Sequence, residues 1–211
     1  MKTLIFGDVH GNLPAFELML KHAGTVDKYI SLGDIVNYLP WSNECVDLLI
    51  SLKNCVKLIG NHDECFISGT YSGENQLVKC FFDFCIPHFA RRHDLEKFEN
   101  QHVFLDVTYT HTLEDRYIYP DTSLDLDGNY VIGHSHHQFR RESNTFFLIN
   151  AGSVGQNRKF INVIDYLIHD SSTNTYEMRH FVYDIEIITS TMKALHYPGE
   201  CIDYYASKAR A

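Results

Sequence analysis

The chain has 211 residues, of which 45% are hydrophobic and 21% charged. That length and apolar share suffice for a hydrophobic core, which excludes disorder, a collagen-like repeat or a fold dependent on disulfides. With 18 basic against 27 acidic residues the net charge is −9, so a broad polyanion-binding face is not expected, and a phosphate-bearing substrate must be met locally, by metal ions or a few placed cations.

The first apolar run, 3–6, reads as a buried strand that stops at Gly7-Asp8. Leu13, Phe16, Leu20 and Ala23 recur at helical spacing, which predicts a helix over 13–22 with Asn12 as its N-cap and Pro14 in its first turn. Residues 29–32 form a second strand ending in Gly33-Asp34. A second helix follows over 42–52, with Ser42 or Asn43 near its cap. A third strand, 55–59, runs into Gly60-Asn61-His62-Asp63. This alternation argues for a parallel sheet of the α/β class, and such sheets place their sites at the carboxyl ends of the strands. Residues 74–89 and 92–100 read as helices, with Phe81, Phe82, Phe84, Cys85 and Phe89 as a core stripe. Strand-like segments follow at 102–109, 129–132, 145–149, 160–167 and 175–182, punctuated by turn-rich stretches at 125–129 and 171–174. A last helix over 184–195 precedes a polar tail. Neither an internal repeat nor an interdomain linker is visible, so the expectation is a single domain over 1–211 with a helical elaboration around 71–100.

The six cysteines (Cys45, Cys55, Cys65, Cys80, Cys85 and Cys201) form no C-x-x-C pair and read as reduced thiols. The N-terminal apolar run is too short for a signal peptide and no segment approaches transmembrane length, so a cytoplasmic protein without a membrane partner is expected. No basic, aromatic-interleaved groove points to nucleic acid. The state of association stays open; exposed aromatics in 71–100 or 112–127 would point to a homodimer.

Thirteen histidines exceed what charge or packing requires. The polar residues that follow the expected strands are Asp8-x-His10, Gly33-Asp34, Gly60-Asn61-His62-Asp63, His111 and Gly133-His134-Ser135-His136. They supply three carboxylates, an amide and five imidazoles. That mixture suits manganese, iron, zinc, nickel or cobalt rather than calcium, and the lack of Cys argues against a closed structural zinc site.

These five motifs, in this order, resemble the calcineurin-like metallophosphoesterase superfamily, over Asp8 to about Lys193. Gly33-Asp34-Ile35-Val36, Asn43-Glu44-Cys45 and the run from Asn150 through Gly152-Ser153 to Gln156 look most like its small prokaryotic branch of predicted phosphodiesterases. The resemblance implies a four-layer α/β/β/α sandwich with a dinuclear metal site at the ends of the two sheets. It implies that Asp8, His10 and His136 bind one divalent transition-metal ion, that Asn61, His111 and His134 bind a second, and that Asp34 bridges them. Manganese is the first expectation, with iron, zinc, nickel or cobalt as options. The implied reaction is hydrolysis of a small phosphodiester or phosphomonoester by attack of a metal-bridging hydroxide, with His62 as the catalytic proton donor to the leaving oxygen. Alternatives are a dinucleoside polyphosphate hydrolase, a protein phosphatase, and a non-catalytic scaffold of the same fold; completeness of the ligand set favours catalysis.

Two departures bear on this. Many relatives have Gly where Thr112 follows His111. The protein phosphatases of the superfamily have a G-D-x-x-D-R-G run where this chain has Gly33 to Leu39, so the Asp that would orient His62 is Asn37 and the phosphate-gripping Arg is missing. Arg116, Arg140, Arg141 and Arg158 lie near the motifs but read as solvated charges. His137 should face away from a metal reached by His136. Asn12 and Ser153 read as structural.

Overall fold

The computed structural model describes residues 1–143 and 145–211. One sheet joins β1 (Lys2–Phe6), β2 (Lys28–Ser31) and β3 (Cys55–Lys57) in parallel. Beyond β1 it is extended by β9 (Val163–Asp170) and β10 (Thr175–Val182), both antiparallel to their neighbours. The second sheet has the order β4 (Gln101–Phe104), β5 (Val107–Thr110), β6 (Asn129–Ile132), β8 (Phe146–Asn150), β7 (Phe139–Ser143).

Strand periodicity explains how the sheets stack. On β1, Ile5 joins Ile30, Leu32, Val131, Ile149 and Leu167 in a core shared by both sheets, whereas Leu4 and Phe6 point the other way. There they meet Phe16 and Met19 of α1 (Leu13–Ala23), Val46 and Leu49 of α2 (Ser42–Ser51), and Ile188 and Met192 of α6 (Glu186–Ala194). The molecule is thus two mixed sheets flanked by helices. The outer face of the second sheet is covered by Leu113, Ile118, Leu124 and Leu126 of the 112–127 loop.

Several elements differ from the sequence expectation. Residues 102–109 make a hairpin, β4 and β5, because Leu105 (φ 50°) and Asp106 (φ 58°) both turn left-handed, as a two-residue hairpin requires. The helix expected over 92–100 is only α5 (Arg92–Leu95), since Glu99 is drawn into pairing with the backbone of Lys57 and Ile59 at 2.9 Å each. The expected 74–89 helix is α4 (Gln76–Cys85) plus a 3-10 turn (Ile86–His88). Asn61 to Asp63 do not simply trail a strand but open α3 (Asn61–Ser68), and the polar tail contains α7 (Gly199–Ser207), anchored by buried Cys201 and Tyr205. Ser42 does not cap α2; Trp41 holds that position, and Ser42 Oγ accepts from Asn37 N instead. Asn12 does cap α1, accepting from Ala15 N at 3.2 Å. All six cysteines are free. Among the described residues no helix is long and apolar enough to cross a membrane.

One buried acid gives the fold a pH dependence. Asp165 on β9 is 6% exposed and accepts from Asn157 Nδ2 at 2.6 Å. Burial pushes its carboxyl up to about 7. The native state therefore keeps a proton that the unfolded chain releases near its ordinary value of about 4, so stability falls as pH rises from about 4 to about 7. Asp165→Asn, which can still present an oxygen to Asn157, is expected to raise the melting temperature at about pH 8 and to change it little at about pH 4. An equal shift at both pH values would show that charge burial is not the cause.

Candidate metal centre

The residues that follow β1, β2, β3, β5 and β6 converge at one end of the two sheets. Asp8 (φ 53°), His10 (52°), Asp34 (55°), His134 (67°) and His136 (57°) all sit in the left-handed backbone region. Asp and His tolerate it better than most residues, yet each instance costs about 1–3 kcal/mol and persists only where the surroundings enforce it. The loops also pass very close to one another: a Cβ on Gly60 would overlap Asp34 Oδ1 and its backbone nitrogen.

The hydrogen bonds of the imidazoles fix which nitrogens face inward. His10 Nδ1 donates to Val36 O (3.2 Å), His136 Nδ1 to Gln156 O (2.8 Å) and His111 Nδ1 to Leu32 O (2.9 Å). Since carbonyls only accept, each Nδ1 carries a proton, and in the neutral ring each Nε2 presents a lone pair to the centre. The Nε2 atoms of His10 and His136 are 3.1 Å apart. His111 Nε2 lies 3.1 Å from His134 Nδ1, 3.1 Å from Asn61 Oδ1 and 3.4 Å from Asp34 Oδ2. Asp34 Oδ2 is buried without a hydrogen-bond partner and also lies 3.8 Å from His10 Nε2. Acceptors at these spacings repel unless a cation sits among them, and this donor set fits divalent ions of borderline hardness. Two groups could each hold one: Asp8, His10, Asp34 and His136, and Asp34, His111 and His134, with Asp34 common to both. Asn61 Oδ1 faces the second group.

The titration behaviour follows. Burial, then His136, holds His10 well below the ordinary imidazole value, and burial, then His111, lowers His134 to about 4. Burial opposes the Asp34 charge, but His111, His62 and His10 together keep its carboxyl well below the usual range. Against its own desolvation, the Asp34 carboxylate raises His111 to about 10.

His62, on α3, packs edge-on against His10 (4.9 Å between ring centres) with Nε2 4.0 Å from Asp34 Oδ2. Its other nitrogen meets the Asn37 amide at 2.8 Å, so Asn37 orients it. Asp63 does not. Its carboxylate accepts from the backbone N–H groups of Asp34, Ile35, Val36 and Gly60 and so pins the loop that carries Asp34. Burial and the Asp34 charge push Asp63 up to about 7 against those donors.

The sequence profile of the calcineurin-like phosphoesterases matches residues 1–147. The chain belongs to that family. This phosphoesterase is 29% identical to an uncharacterized protein of Methanocaldococcus jannaschii over 86% of its length and 88% of the relative's. It superposes on the crystal structure of a metallophosphoesterase from Sphaerobacter thermophilus with a TM-score of 0.81, at 26% identity and 99% coverage of both chains. A hypothetical protein from Pyrococcus horikoshii has the same fold (TM-score 0.82, 16% identity, coverage 100% and 99%). Membership makes the chain a metal-dependent phosphoesterase, in a family that uses divalent ions.

Around the centre of this phosphoesterase, the remaining expectations sort by geometry. Asn12 bonds Gly155 O and the Tyr183 hydroxyl, and Ser153 Oγ donates to Asp8 O, so both brace loops. Thr112 keeps a negative φ and ties its hydroxyl to Arg116 O at 2.6 Å, which accommodates a side chain at that corner. Arg116 pairs with exposed Glu114 and Arg140 with Glu142, while Arg141 donates to Thr122 O and Leu124 O and so holds the loop over the second sheet. His137 packs on Tyr119. The sequence reading missed Tyr38, which packs against His10 and His62, and Tyr117, which stacks on His134 at 4.2 Å. Neither has a local signal, because each is placed by its loop. A cleft of about 670 Å³ opens beside Asn61 and His134, with Glu64, Tyr71, Asp115 and Tyr117 on its walls.

Proposed function

We propose that this phosphoesterase hydrolyses a small phosphodiester or phosphomonoester at a two-ion centre, with Asp8, His10 and His136 holding one ion, Asn61, His111 and His134 the other, and Asp34 shared. The supporting observation is the set of inward lone pairs around Asp34 Oδ2. Two bound divalent ions would supply Lewis acidity toward phosphoryl oxygens and acidify a water into a nucleophile near neutral pH. The histidine-rich donors favour manganese, cobalt or nickel over magnesium, which prefers oxygen. His62 delivers the proton to the leaving oxygen from its imidazolium form, with Nε2 on the side of the centre and Nδ1 held by the Asn37 amide. Burial lowers the His62 pKa, which makes its imidazolium a stronger acid toward the leaving oxygen. The reading places the enzyme in the cytoplasm with its thiols reduced.

The cleft supports a small ester over a polyphosphate chain, since Glu64, Glu74 and Asp115 line it and none of its lining residues is Lys or Arg. The test is a substrate panel on manganese-reconstituted protein: bis-p-nitrophenyl phosphate, p-nitrophenyl phosphate, cyclic nucleotides, a dinucleoside tetraphosphate and a phosphopeptide. Chelator-sensitive turnover of the small esters is expected. Preference for the tetraphosphate or the phosphopeptide would move the assignment to those alternatives, and metal-loaded protein inert on the whole panel would overturn it.

A further inference from the structure

Arg158 was expected to be a solvated charge, but its surroundings are of another kind. Nη1 donates to the Tyr204 hydroxyl of α7 at 2.6 Å, and the guanidinium charge reaches the hydroxyls of Tyr38 and Tyr117, lowering the pKa of each against burial. Each of those two rings rests on the centre: Tyr38 lies 4.8 Å from His10 and 5.3 Å from His62, and Tyr117 stacks on His134 at 4.2 Å. The guanidinium charge is therefore felt by two aromatic side chains that contact imidazoles of both candidate ion sites.

A second cation stands beside it. Lys208 Nζ lies 4.5 Å over the ring of Tyr204, and after its partial burial it is the Arg158 charge that lowers the Lys208 pKa. Among the described residues, neither Arg158 nor Lys208 has a carboxylate within 4 Å, and both are partly buried, whereas most of the other cations without an acidic partner are exposed. Half-burying a guanidinium beside an ammonium without a counter-ion is unfavourable, and an anion reverses the sign of that interaction. The planar guanidinium fork suits phosphate oxygens in particular.

We propose that Arg158 binds a non-bridging oxygen of the substrate's phosphoryl group, with Tyr38 and Tyr117 setting its reach and Lys208 adding positive potential behind it. The assignment rests on the phosphoesterase reading above. It makes Arg158 a substrate-binding residue supplied by the loop after β8 and held by the C-terminal helix.

The test uses manganese-reconstituted protein and inorganic phosphate as the probe, measured by calorimetry and as a competitive inhibitor of p-nitrophenyl phosphate hydrolysis. Arg158→Met is expected to keep its metal content and to weaken phosphate binding about 10- to 100-fold, the range for a lost charge-assisted hydrogen bond, with KM rising more than kcat falls. Arg158→Lys should recover part of the affinity, and it decides the question alone if the Met variant does not fold. A purely structural Arg158 would instead lower metal content and kcat together. Unchanged phosphate affinity in a metal-loaded variant, or no phosphate binding by the wild type, overturns the proposal. If the wild type hydrolyses none of the esters, the functional reading fails, while the calorimetric comparison still decides the role of Arg158.

Discussion

Asp34→Asn is expected to lose at least about 10²–10³-fold of phosphoesterase activity together with metal, because one carboxylate belongs to both candidate ion sites. The substitution is isosteric. Oδ1 can still accept from His62 N, as it does at 2.8 Å in the native chain, so the loop should stay in place. Nδ2 would replace the orphaned Oδ2 and offer donors toward the lone pairs of His10 and His111. The metal-free variant is therefore expected to melt no lower than the metal-free wild type, while losing the stabilisation that metal confers. That stabilisation is about 2.7 kcal/mol at a hundredfold excess over Kd, or about 5–10 °C for a chain of this size. Melting curves with and without manganese, paired with metal analysis, check both halves. Full occupancy of both ions in Asp34→Asn would remove Asp34 from the shared position.

His62→Asn should cost about 10²–10⁴-fold on substrates with poor leaving groups and far less on p-nitrophenyl esters. Nitrophenolate departs with little need of a proton; an alkoxide does not. Both ions should stay bound, since the inward groups that surround Asp34 Oδ2 most closely are His10 and His111, with His62 Nε2 at 4.0 Å. Equal losses on alkyl and aryl esters would assign His62 to charge stabilisation or positioning instead. Loss of an ion would make it a ligand.

Those two side chains were legible in the sequence because Asp34 follows an apolar strand and His62 follows an asparagine of the same motif set. The same signal located β1, β2 and β3: short apolar runs broken by Gly and a polar residue. It failed where burial is one-sided or sparse. The first turn of α3, Asn61-His62-Asp63-Glu64, has no apolar stripe because Asn61, His62 and Asp63 face the centre or its loops and Glu64 lines the open cleft. On β7 only Phe139 is buried, so five residues carry no alternation. α7 shows two buried positions four residues apart, Cys201 and Tyr205, among residues that read as a tail. Arg158 could not be told from a surface charge, because the group that fixes it, Tyr204, is 46 residues away. Asn37 looked like the loss of an orienting Asp; the fold shows that its amide does the orienting.

The central claim, that this phosphoesterase works through two divalent ions held in common by Asp34, is tested most directly by stoichiometry. Metal-free protein is titrated with manganese while bound metal and hydrolysis of bis-p-nitrophenyl phosphate are followed in the same samples. Activity is expected to reach its plateau at two ions per chain and to vanish with chelator. A plateau at one ion, or full activity in magnesium with no transition metal bound, would contradict it.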